Sequence, residues 1–164
     1  MINQTDLLQR YFQPILILPQ VYDEVVTQGE GRPGAQELVE ACEIGVVQII
    51  ELADPHLVSQ MRQPGLPEVS DVDAMVVALA IEQHATILSD DGSLRLVAVA
   101  KGVPVVGSIG ILIQATLAGV IPTLQPRLDQ LIAAGFYLDP QGQVYRGALR
   151  RVGELTDNPS TSTS

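Results

Sequence analysis

The sequence predicts an α/β fold, a three-layer α/β/α sandwich built on a mainly parallel sheet. Two observations in the stretch Ser70–Gly110, SDVDAMVVALAIEQHATILSDDGSLRLVAVAKGVPVVGSIG, carry this reading. Helical patterns alternate there with short β-branched apolar runs, an order that implies parallel strands joined by right-handed crossovers. Carboxylates and small turn residues also fall at the seams between those segments, on the edge where ligands bind in open α/β sheets.

The elements follow in chain order. Thr5–Phe12 reads as a short helix ending before Pro14, and Ile15–Leu18 as an apolar strand. Pro19 suits the first helical position of QVYDEVV, which runs towards Gly29, and residues 30–34 form a loop. Ala35–Cys42 is a helix, Val46–Ile50 a strand, and His56–Met61 a short helix before the linker QPGLP. Ser70 is placed to cap a helix by accepting from the Asp73 amide, with Val72, Met75, Val76, Leu79 and Ala80 at helical spacing. Ala85–Leu88 is a buried strand, Ser93–Lys101 a helix with Gly102 just past its end, and Val103–Val106 a strand. Ile109–Ala118 and Leu124–Ala134 are helices, Phe136–Leu138 an edge strand, and Val144–Val152 a final helix. The tail Thr156–Ser164 has nothing to bury and reads as disordered beyond a single domain spanning residues 1–152.

An apolar fraction of 46% over 164 residues is enough to fill one core. No apolar run is long enough to span a bilayer, and MINQTDLLQRYF resembles neither a signal nor a transit peptide, so a cytoplasmic protein without membrane contact is expected. The lone Cys42 excludes an internal disulfide and a cysteine-based zinc site. A net charge of −10 opposes broad contact with a phosphate backbone, yet Arg146, Arg150 and Arg151 gather near the C-terminus. Excess carboxylate suits a hard divalent cation such as Mg²⁺ or Mn²⁺.

Each candidate site residue has an ordinary reading beside its functional one. Asp73 serves either as a helix N-terminal acid or as a metal ligand, and Asp71 fits the first role better. Asp90 and Asp91 before Gly92 form a common turn composition, but they also close a strand. Ser108 caps the next helix or contacts substrate, and Arg95 pairs with a carboxylate or touches phosphate. Neither His56 nor His84 has a second histidine or cysteine at zinc-ligand spacing. A phosphoacceptor domain would also place acids at strand ends, but Lys101, the sole lysine, precedes Ser108 instead of following the next strand.

Together, ILILPQVYDEVV, EGRPGA, DAMVVALAIEQHATILSDDGSLRLVAVAKGVPVVGSIGILIQATLAGVIP and LDQLIAAGFYL resemble the PIN-domain family over nearly the whole chain. The resemblance implies an α/β/α fold and, in active members, a Mg²⁺- or Mn²⁺-dependent ribonuclease, often the toxin of a toxin–antitoxin pair. It implies metal-ligand roles for Asp73, Asp90 and Asp91, with Asp73 and Asp91 catalytic. Ser108 falls at a small hydroxyl position after the last strand of the series, and Arg95 is grouped with it as a substrate-binding candidate. RNA, an antitoxin protein and a second copy of the chain are the partners expected.

The sequence departs from the family at its front, where members carry a first strand ending in an aspartate before anything like Asp6-Leu7-Leu8. Either translation begins upstream of Met1, or the short form folds with a rearranged sheet. In the second case a nuclease would be impaired, and a non-catalytic binding or oligomerisation module is the alternative.

Overall fold

The computed structural model describes residues 14–29, 31 and 34–155. The predicted helix Thr5–Phe12 and the tail Thr156–Ser164 lie outside the described residues, as does part of the 30–34 loop. The chain divides into two compact units, residues 1–106 and 107–164, each described by itself.

In the first unit, β1 (Ile15–Ile17) leads through Leu18 into α1 (Pro19–Tyr22), with Pro19 in the first turn where its missing N–H costs nothing. The helix continues as a π-helical stretch, Asp23–Thr27, closed by the Gln28 amide on the Asp23 carbonyl at 3.0 Å, five residues back. Next come α2 (Ala35–Glu43), β2 (Val47–Ile49) and the one-turn α3 (His56–Ser59). Then follow α4 (Asp71–Glu82), β3 (Ile87–Leu88), α5 (Gly92–Ala100) and β4 (Val105–Val106). The α/β class with parallel strands stands as predicted. Among the described residues the pairing forms two ladders, β1 with β2 from Ile15↔Val47 to Ile17↔Ile49, and β3 with β4 at Ile87↔Val105 and Leu88↔Val106.

The second unit holds α6 (Ser108–Leu117), α7 (Gln125–Ala133) and α8 (Gln143–Arg151). The edge strand expected at Phe136–Leu138 is not formed, which corrects the sequence reading. The reason is local. After α7 the Gly135 amide bonds to Ile132 O and the Phe136 amide to Leu131 O, so the helix end consumes the first donor of that segment, and Tyr137 is 99% exposed. The same paired closure ends α5 (Gly102 to Val99, Val103 to Ala98) and α4, where His84 takes the left-handed position at φ 49°.

Three clusters of described buried residues occupy successive stretches of chain. Ala41, Val46 and Val47 pack with Ile15, Ile17, Leu38 and Cys42. Ala74, Val77, Ile87, Leu94, Val97 and Val103 pack with Met61 and its neighbours. Ile113, Leu124, Leu128, Tyr145, Ala148 and Leu149 form the third. On α4 the fully buried line is Ala74, Val77 and Ala78, whereas Val72, Met75 and Val76 are half-buried, because the helix is apolar on most sides and its small residues allow the closest approach.

Candidate active site

At the start of α4, the Asp73 amide donates to Ser70 Oγ at 3.0 Å. The Asp73 carboxylate turns back onto the same residue, Oδ2 accepting from the Ser70 hydroxyl at 2.7 Å and from its amide at 3.3 Å. This reciprocal cap fixes the helix start and occupies one carboxylate oxygen. Asp71 forms an exposed ion pair with Arg62.

At the end of β3, Asp91 caps α5, its Oδ1 accepting from the Leu94 amide at 2.7 Å. Its own amide donates to Ser89 Oγ at 3.1 Å. Arg95, one turn on, donates to the Ser89 carbonyl at 3.2 Å and so straps the strand end to the helix. Asp90 is exposed and has an interaction within the chain. Ser108 is the first residue of α6, where Gly107 holds the cap position. It belongs to the second unit.

One feature of this region went unread in the sequence. Asp23 and Glu24, on the helix that follows β1, line a cleft of about 560 Å³ with Pro19, Gln20, Gln28 and Val72, the last lying between Asp71 and Asp73. The cleft therefore joins the C-terminal side of β1 to the first turn of α4. Hydrogen bonds from Gln28, at 3.1 Å, and then Thr27 hold the Asp23 carboxyl below its ordinary range, so it stays ionised. Adjacent acids on the helix that follows a parallel strand were the available signal.

The donor set is all carboxylate oxygen, which suits a hard divalent cation. Among the described residues, no group of three His, Cys, Asp or Glu stands close enough to complete a site for an ion. Asp73 and Asp91 each commit one oxygen to a helix cap.

A family model described as a PIN domain matches residues 1–154. The chain belongs to the PIN-domain family. PIN domains are generally nucleases and generally depend on divalent metal. No curated protein and no solved structure matches the chain. No described helix of this PIN domain is long and apolar enough to cross a membrane.

Proposed function

We propose that this PIN domain is a ribonuclease dependent on Mg²⁺ or Mn²⁺, with Asp73, Asp90 and Asp91 as the carboxylates of its centre and an antitoxin protein as its natural inhibitor. The observation that carries the reading is the position of these acids, on the first turn of α4 and at the carboxyl end of β3 within one compact unit. Glu24 and Asp23 extend the acidic character along the neighbouring cleft.

The test uses single-stranded RNA with Mg²⁺, with Mn²⁺ and with EDTA, comparing the wild type with Asp91→Asn. Asparagine caps a helix about as well as aspartate, so α5 keeps its start and a lost activity reports on charge. Metal-stimulated cleavage abolished by Asp91→Asn is expected. Cleavage that persists in EDTA, or in the variant, would sink the assignment.

A second reading is a PIN-like module that binds without cutting. What favours it is the lack of a three-ligand group among the described residues. It predicts no cleavage of RNA with either metal.

A further inference from the structure

The charge of the chain is unevenly spread. Fifteen of the nineteen Asp and Glu residues precede Gly107, against five of the nine Lys and Arg. The first unit therefore repels a polyanion, whereas the second is balanced and concentrates its cations on one element. Helix α8, QVYRGALRR, carries Arg146, Arg150 and Arg151 and no acid.

The helix presents these groups from a fixed base. Tyr145, Ala148 and Leu149 are buried in the core of the second unit, and the Tyr145 hydroxyl donates to Asp129 Oδ1 at 2.7 Å. On the other side, Arg146 and Arg150 lie one turn apart and line a cleft of about 370 Å³ with Gln141 and Gln143, all four exposed. Two guanidinium forks at this spacing match phosphate oxygens, and the two amides can donate to or accept from sugar and base edges. The grip lies with the side chains, because Asp139 Oδ1 accepts from the Gln141 amide at 2.9 Å and sets a carboxylate beside the start of α8.

We propose that this cleft holds the phosphate backbone of single-stranded RNA, with Arg146 and Arg150 as the phosphate contacts and Gln141 and Gln143 as flanking polar contacts. The proposal rests on the nuclease reading for the identity of the polyanion. An acidic protein segment would also satisfy two arginines, but it makes less use of the paired amides.

The test is fluorescence anisotropy with a labelled single-stranded RNA in EDTA, where binding is read without cleavage, titrated over a range of salt. The wild type should bind, and Arg146→Gln/Arg150→Gln should weaken binding on the order of tenfold while lowering the log–log salt slope by about 1.4, at about 0.7 per lost phosphate contact. Arg146→Lys/Arg150→Lys keeps the charge and should keep the slope with reduced affinity. No RNA binding by the wild type, an unchanged slope in the glutamine variant, or a slope lost in the lysine variant would each overturn the proposal. So would binding of a polyglutamate peptide in place of RNA. RNA binding that follows the expected pattern, in a protein that fails to cleave with either metal, would defeat the nuclease reading alone.

Discussion

Tyr145 donates its phenolic hydrogen to Asp129 across 2.7 Å, and this bond ties α8, the arginine-bearing helix, to α7 before it. Burial, and then the neighbouring carboxylate, push the Tyr145 phenol above its ordinary range. A folded value raised above the unfolded one gives stability that is complete below the unfolded value, near pH 10, and is lost as pH rises through the folded value. Melting temperature should therefore fall on the alkaline side, and Tyr145→Phe should remove that component while costing about 1 kcal/mol at neutral pH. Melts of both proteins from about pH 7 to 11 check this.

The start of α4 allows stability and chemistry to be separated. Ser70→Ala removes the acceptor of the Asp73 amide and a donor to its carboxylate, and should cost about 1 kcal/mol in denaturant unfolding. Asp73→Asn leaves Ser70 in place and keeps an oxygen facing the Ser70 amide, so its cost should be smaller. If Asp73 belongs to the catalytic centre, the ranking reverses for RNA cleavage, with Asp73→Asn the more damaging.

His84 occupies at φ 49° a helix-end position that glycine fills after α5 and α7, where Gly102 and Gly135 have φ 74° and 93°. A side chain in that region carries a steric penalty that glycine lacks. His84 is exposed, so little packing is lost on its removal. His84→Gly should raise stability by about 0.5–1 kcal/mol, the left-handed penalty of about 1–2 kcal/mol less glycine's extra chain entropy, read as a higher melting temperature. A lower one would mean that the imidazole has a role beyond its backbone position.

Much of this architecture was legible because it is encoded locally. Ser70 before Asp73, Pro19 at a first turn and Gly102 after Lys101 each specify a boundary through hydrogen bonds within a few residues. The strand proposed at Phe136–Leu138 failed because apolar character alone does not supply a pairing edge, and its leading amide was already taken by α7. Arg95 shows the same limit at the site, since only the fold shows it directed to the Ser89 carbonyl. The cleft that gathers Asp23, Glu24 and Val72 joins segments about fifty residues apart, a tertiary contact that periodicity does not encode.

Among the described residues, three hydrophobic clusters draw on stretches that do not interleave, from Ile15 to Val47, from Val58 to Val105 and from Ile109 to Leu155. Each cluster closes within fewer than fifty residues of chain, which bounds the entropic cost of bringing its members together. As the chain leaves the ribosome, the first cluster has all of its own side chains before the second is synthesised, and the second before the third. Burial can thus keep pace with translation, and apolar surface need not wait for the C-terminus to be covered.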